Sequence, residues 1–225
     1  MRIKPGHFPP HVLRGEVAEG RRGHDPSAPA GHLPPLRAGR KGLLVLALAM
    51  ISSSAQAAEK LSIGADHGTI DFAIGDSKIF RTTGSFKNWQ GAVNVDDAEV
   101  PKSTVEVVVN TDSIQMLDTQ QTAMLKETDF FDVEKFPKMT FESKKIERTG
   151  ENAFKVEGDI TLRGITRPMA LDVTVKDRRP DAPAGARYAR FRATGTIKRS
   201  EFGMTKYVNM VGDTVEIIIS TDAWR

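Results

Sequence analysis

His67 is the one imidazole downstream of residue 57, and it has no obvious collaborators. A catalytic base or a metal ligand needs His, Cys or carboxylate partners at workable spacing. The chain has no cysteine at all, and one imidazole cannot build a metal site alone. His67 therefore reads as structural, or as a hydrogen-bonding group for a ligand's polar head. Asp129, Asp132, Glu201 and Asp213 are the carboxylates that could pair for general acid–base work. Their spacing gives no pairing, and acids beside Gly and Ser at strand ends are usually caps and turns. Neither a glycine-rich phosphate loop, a nucleophile elbow nor a metal motif occurs. The chemistry-bearing residues thus point away from an enzyme.

The elements that must position these residues centre on Asp129 to Ser143, where four phenylalanines crowd together. Phe130, Phe131 and Phe136 surround a short acidic turn, and Pro137 pushes the residue before it into an extended conformation, which excludes a helix there. From Met139 the apolar and polar residues alternate, the period of a strand with one dry face. Upstream, Thr119 to Thr128 is the one helical candidate, capped by Asp118 or Thr119. The stretch reads as a hinge from helix to strand, with its aromatic cluster plugged into an apolar interior.

Eight strands are expected around it, over 70–74, 80–95, 105–109, 138–147, 154–162, 165–175, 188–197 and 215–219. Gly84 and Gly91, inside a strand pattern, predict bulges or tight bends. Gly75-Asp76-Ser77 predicts a turn, Arg163-Gly164 a two-residue hairpin, and Pro168 a strand end or bulge. The segment 177–186 predicts an exposed loop. Many antiparallel strands joined by short turns indicate a sandwich or an up-and-down barrel. Interior glycines and an inserted helix favour the closed sheet, which removes edges. The inward-phase apolar set is Ile70, Phe72, Phe86, Phe130, Phe131, Phe141, Ile160, Leu162, Leu171, Val173, Phe191, Phe202 and Ile217. At eight strands a barrel interior is either just filled or just wide enough for one small apolar ligand, and the residues alone leave that open.

The beginning of the chain is a different kind of polymer. Residues 1–39 hold seven of the 12 prolines and four of the five histidines, with no apolar periodicity. Such a segment cannot offset its ordering entropy and is expected to be disordered. Arg37, Arg40 and Lys41, the apolar run 42–51 and Ala55-Gln56-Ala57 form a secretory signal with cleavage before Ala58. The run is too short to span a bilayer at ~20 residues per crossing. Signals normally start near their basic cluster, so Met1 is expected to lie upstream of the true start. The domains are then 1–57, extension plus signal, and 58–225, the barrel, in the periplasm. Residues 1–57 carry eight of the 32 basic and three of the 29 acidic residues, so the remainder has 24 against 26 and a net charge near −2. A nucleic-acid partner, which needs a basic face, loses its support. Without cysteines there are no disulfide staples, and the fold stands on burial alone.

Six motifs, in order and at comparable spacing, carry a resemblance. They are 66–72 (Asp-His-Gly-Thr-Ile-Asp-Phe), 84–91 (Gly-Ser-Phe-Lys-Asn-Trp-Gln-Gly), 129–132 with 136–141 (Asp-Phe-Phe-Asp and Phe-Pro-Lys-Met-Thr-Phe), 158–164 (Gly-Asp-Ile-Thr-Leu-Arg-Gly), 199–204 (Arg-Ser-Glu-Phe-Gly-Met) and 211–213 (Val-Gly-Asp). Over nearly its full length, the chain after residue 57 resembles the YceI-like family of bacterial periplasmic proteins. The resemblance implies an all-β, eight-stranded antiparallel lipocalin-like barrel with one short inserted helix and no enzyme activity. It also implies that the thirteen inward residues line a tunnel for an isoprenoid or similar amphiphilic lipid, such as a quinone tail, with His67, Asp129 and Ser200 as head-group candidates. No other cofactor or metal is implied; ligand exchange with a membrane and a dimeric state are left open. The chain departs from the family pattern at Gly75-Asp76-Ser77 and at Met124, where many members carry histidines, so head-group contacts made by those histidines are not expected here. The competing expectation is a secreted barrel with a filled interior that acts through its surface loops, 177–186 above all.

Overall fold

A computed structural model describes residues 58–75 and 81–225. The expected leader and signal segment, Asp76-Ser77 of the expected turn and the start of the second strand at Phe80 lie outside the described residues. Eleven strands are described: β1 (Glu59–Gly64), β2 (Gly68–Ile74), β3 (Thr82–Phe86), β4 (Trp89–Val95), β5 (Thr104–Asn110), β6 (Ile114–Met116), β7 (Lys138–Arg148), β8 (Ala153–Leu162), β9 (Ile165–Lys176), β10 (Arg187–Lys198) and β11 (Thr214–Trp224). Two helices accompany them, α1 (Thr119–Lys126) and the single turn α2 (Val208–Val211).

Six of the eleven are halves of three bent strands. A 3-10 turn at Ala65–His67 separates β1 from β2, Lys87-Asn88 separate β3 from β4, and a second 3-10 turn at Thr111–Ser113 separates β5 from β6. The bends sit side by side: Lys87 N–H donates to Ser113 O at 3.1 Å and Asn110 N–H to Asn88 O at 2.9 Å. Counted as continuous walls, the strands number eight, all antiparallel. The last wall, β11, pairs with β10 along one edge and with β2 and the end of β1 along the other, closing the barrel. The expected eight-stranded antiparallel barrel is the observed architecture; beside the one expected helix, α1, the described residues include the single turn α2. Strand β1, which sequence reading passed over, completes the first wall through buried Leu61 and Ile63.

The interior glycines do something other than expected. The bend lies at Lys87-Asn88, between Gly84 and Gly91, and the register shifts fall elsewhere, in β7 at Ser143/Lys145 and in β10 at Arg187/Ala189. Gly84 instead makes room. It pairs with Phe72, and a Cβ there would lie 2.4 Å from the Phe72 ring and 2.9 Å from Gln115 O. Pro168 is also not at a strand end or bulge; it pairs with Asp159 inside β9. It is tolerated because β10 pairs with β9 only from Leu171 onward, so no ladder bond is lost on that side.

Helix α1 starts where Asp118 accepts from the backbone N–H groups of Gln120 and Gln121. It ends two residues before the expected Thr128, because Phe131 N–H and Val133 N–H turn back onto Leu125 O and Lys126 O. Strand β6 pairs only with β3, so the wall opens between β6 and β7, and residues 117–137 cross the gap. Two anchors hold that crossing. Thr111, fully buried, donates through its N–H to Pro137 O at 3.0 Å and through its hydroxyl to Phe136 O at 2.7 Å. The β8–β9 hairpin turns through Arg163 and Gly164, both at positive φ (52° and 71°) as a two-residue turn requires. Its Arg163 guanidinium donates to Thr128 O at 2.7 Å and to Phe130 O.

Candidate functional site

The alternation of each strand sends one set of side chains inward, and the barrel's width leaves space between them. Two chambers occupy the interior. The first, about 200 Å³, lies toward the β4–β5, β7–β8 and β9–β10 connections; Ile70, Phe141, Leu171, Val173 and Phe191 border it. The second, about 220 Å³, lies under α1 and α2; Phe72, Phe86, Phe130, Phe131 and Leu162 border it. Ile160 and Ile217, with Met139, border both and form the waist between them. Each chamber exceeds the roughly 150 Å³ that suffices to hold benzene in an apolar cavity. The interior is thus neither filled nor one uniform tunnel.

Phe202 is the exception in the expected lining set. It is fully buried and borders neither chamber. It follows Arg199-Ser200-Glu201 in a 3-10 turn that ends at Gly203, in the left-handed region, so its ring leaves the strand phase that the sequence pattern assumed. Phe136 likewise is not plugged into the interior. It is half-buried, its ring lying under the Gly164 turn with the Arg163 guanidinium 5.9 Å from its centre. Phe130 and Phe131 do face the helix-end chamber, and Phe131 packs edge-on against Phe86 with 5.6 Å between ring centres.

The three head-group candidates do not converge. His67 is exposed and stacks 4.5 Å from the Trp224 ring, bordering neither chamber. Asp129 accepts from the Lys206 ammonium. Ser200 donates to Asp213 through its N–H at 2.9 Å and its hydroxyl at 2.7 Å. Burial works against the Asp213 charge, but the two Ser200 bonds and nearby Arg199 outweigh it and hold the carboxyl below its usual range. Sequence spacing said nothing of these separations, because each residue sits on a different turn.

The polar groups that do border the chambers were not singled out in the sequence. At the loop end, Arg178 Nε donates to the Tyr188 hydroxyl at 2.8 Å, and both meet Asp97. Tyr188 is almost fully buried, and that burial raises its hydroxyl pKa despite the Arg178 bond. At the helix end, buried Arg199 borders the chamber together with Lys206 and Gln121. That chamber reaches the surface between Met124, Tyr207 and Val211, which line it and are themselves exposed. An arginine in a charged surface-like string carries no sequence mark of burial, whereas Tyr188, opening an alternating strand, carried a weak one.

An apolar, two-chambered interior with polar groups at both ends can hold an amphiphile. Among the described residues no cluster of three or more His, Cys, Asp or Glu could hold a metal ion. Residues 61–223 match the YceI-like domain. A UPF0312 protein of Ectopseudomonas mendocina is 32% identical over 183 residues, covering 81% of this chain and 95% of that protein. One from Serratia proteamaculans is 32% identical over 185 residues, covering 82% and 95%. Among solved structures, BcnA of Burkholderia cenocepacia superposes with a TM-score of 0.62 at 24% identity, covering 72% of this chain and 99% of that one. A polyisoprenoid binding domain from Saccharophagus degradans, implicated in plant cell wall breakdown, superposes with a TM-score of 0.54 at 11% identity, covering 74% and 98%. At these identities the two structures speak for the fold.

Proposed function

The chain belongs to the YceI-like family, and from that premise we propose that it carries or stores an isoprenoid or similar amphiphilic lipid in its barrel, acting in the periplasm after removal of residues 1–57. At family level the reading is of a lipid-binding protein rather than an enzyme. The observation that carries it is the pair of apolar chambers that meet at Met139, Ile160 and Ile217. Each CH₂ moved from water into such a space contributes about 0.8 kcal/mol, so a prenyl chain is retained without any specific bond. Scaling from the ~150 Å³ that holds six-carbon benzene, the two chambers accommodate roughly fifteen carbons, about three isoprene units. Longer chains extend through a mouth. The structural likeness to a domain described as polyisoprenoid-binding supports the ligand class.

Native mass spectrometry of protein purified from its own compartment, before and after organic extraction, is the test. The expected result is a hydrophobic adduct lost on extraction and regained with farnesol. If no hydrophobic molecule co-purifies, and neither farnesol nor longer prenyl alcohols bind, the carrier reading fails. N-terminal sequencing of the exported protein should begin at Ala58; retention in the cytoplasm would overturn the periplasmic assignment.

A further inference from the structure

Arg199 is buried to 4% exposure and borders the helix-end chamber. A guanidinium carries five N–H donors in a fixed fork. Three are used on backbone carbonyls: Nε on Gly212 O at 2.9 Å, and Nη1 on Met204 O at 3.2 Å and Lys206 O at 2.7 Å. The two on Nη2 have no hydrogen-bond partner among the described residues. Arg199 also makes no ion pair within 4 Å among them. The nearest acid by its effect on the charge, Asp213, spends its oxygens on the N–H and hydroxyl of Ser200. Lys206, the other cation at this chamber, is already matched by Asp129.

A buried guanidinium with no directly bonded counter-charge is costly, and burial here works against its charged form, an effect that the Asp213 charge offsets only in part. The three carbonyl bonds fix the plane of the group, so Nη2 is held in place before any ligand arrives. The remaining walls of the chamber include Phe72, Phe86, Phe130 and Leu162, which carry neither a counter-charge nor a hydrogen-bond acceptor. A planar fork with two free donors matches a carboxylate or phosphate oxygen.

We propose that Arg199 is a head-group anchor: the helix-end chamber takes an amphiphile with an anionic oxygen head, a carboxylate or phosphate monoester, which pairs with Arg199 Nη2 while its apolar tail runs through the waist toward the loop-end chamber. The proposal rests on the lipid-binding reading and adds the charge and direction of the ligand to it. No covalent step is involved.

Three probes with the same fifteen-carbon tail separate the two claims: farnesol, farnesoic acid and farnesyl monophosphate, titrated into the delipidated protein. A charge-assisted bond to the buried guanidinium should make the two acids bind roughly ten- to a hundredfold more tightly than farnesol. Arg199→Gln should remove that preference, so that the two acids bind this variant no more tightly than farnesol does, while Arg199→Lys should retain part of it. The carbonyl bonds of Arg199 also hold the 204–212 segment, so the variants could misfold. In the wild-type protein, the Arg199 Nε–H resonance should then shift on adding farnesoic acid and stay put on adding farnesol. Equal binding of all three probes, a preference that survives Arg199→Gln, or an unmoved resonance under saturating acid overturns the anchor and leaves the lipid reading standing. Failure of all three to bind overturns both.

Discussion

Phe131 and Phe202 are both phenylalanines in the expected lining set, yet they should respond to truncation differently. Phe202 is fully buried and borders neither chamber, so Phe202→Ala leaves a hole in packed core and should cost about 3–5 kcal/mol. Phe131 is half-buried, with one face on the helix-end chamber and its edge contact to Phe86 at 5.6 Å. Half the burial value of a phenylalanine is about 1–1.5 kcal/mol, and the ring pair adds about 0.5–1.5 kcal/mol. Phe131→Ala should therefore cost about 1.5–3 kcal/mol in the delipidated protein. With a urea m-value near 2 kcal/mol/M, the midpoints should fall by about 1 M for Phe131→Ala and about 2 M for Phe202→Ala. Saturating farnesol raises stability in proportion to its affinity. That increment should survive Phe202→Ala and shrink in Phe131→Ala, whose lost ring contacts weaken binding by roughly five- to thirtyfold. Phe141, buried but bordering the loop-end chamber, should fall between the two. Equal losses in the delipidated variants, together with an unchanged farnesol increment in Phe131→Ala, would refute the assignment of Phe131 to a chamber wall.

Gly84→Ala places a methyl 2.4 Å from the Phe72 ring and 2.9 Å from Gln115 O, so it should cost about 1–3 kcal/mol through overpacking and narrow the helix-end chamber; thermal melting and farnesol titration check both. Met139→Trp, which fills the waist, should weaken fifteen-carbon farnesol more than a ten-carbon prenyl alcohol, as read by competition binding. The carboxyl of Asp213 is held below its usual range, so its contribution to stability is present above about pH 4 and is lost as pH falls through the depressed folded-state value. Urea midpoints across pH 2 to 5 should show that acid-side slope reduced in Asp213→Asn; an unaltered slope would remove Asp213 from the account.

The barrel was legible because alternation survives bending. Val105, Val107 and Val109, or Leu171 and Val173, keep one phase wherever the sheet curves, and the turn chemistry of Arg163-Gly164 announces its hairpin directly. Strand β1 was passed over because two alternating residues, Leu61 and Ile63, are too short a signal beside an expected cleavage point. Glycines were misread for a physical reason: a glycine that yields space to a neighbouring ring and one that marks a bulge look identical in one dimension. Gly84 is the first kind. The inward set was readable wherever residues lie on a regular strand and failed at Phe202, which lies on a 3-10 turn. The polar ends of the interior were not readable, because Asp97 and Arg178 come from separate connections and meet Tyr188 of β10 only in the fold, and the burial of Arg199 depends on carbonyls of residues 204, 206 and 212 folding back over it.

The interior is hollow for reasons that can be traced to the same elements. A sheet closed by eight uninterrupted walls has an interior narrow enough for its inward side chains to fill. Here three adjacent walls bend together, at Ala65–His67, Lys87-Asn88 and Thr111–Ser113, and the third wall then fails to pair with β7 beyond Asn110. The gap this leaves is bridged by residues 117–137, whose helix buries only Leu125. A helix with one buried residue cannot fill what a strand would have filled with several. The space it leaves is the helix-end chamber, bordered by Met124 and Leu125 of α1 above and by Phe72, Phe86 and Phe131 below. Below the waist β7, β8 and β9 stay paired through the register shift at Ser143/Lys145, and the 200 Å³ there persists because Val93, Val107, Val156 and Val173 are too short to meet across the barrel. Larger side chains at those valine positions should close the loop-end chamber and stabilise the empty protein while abolishing prenyl binding there, an outcome that a barrel working only through its outer loops would not show.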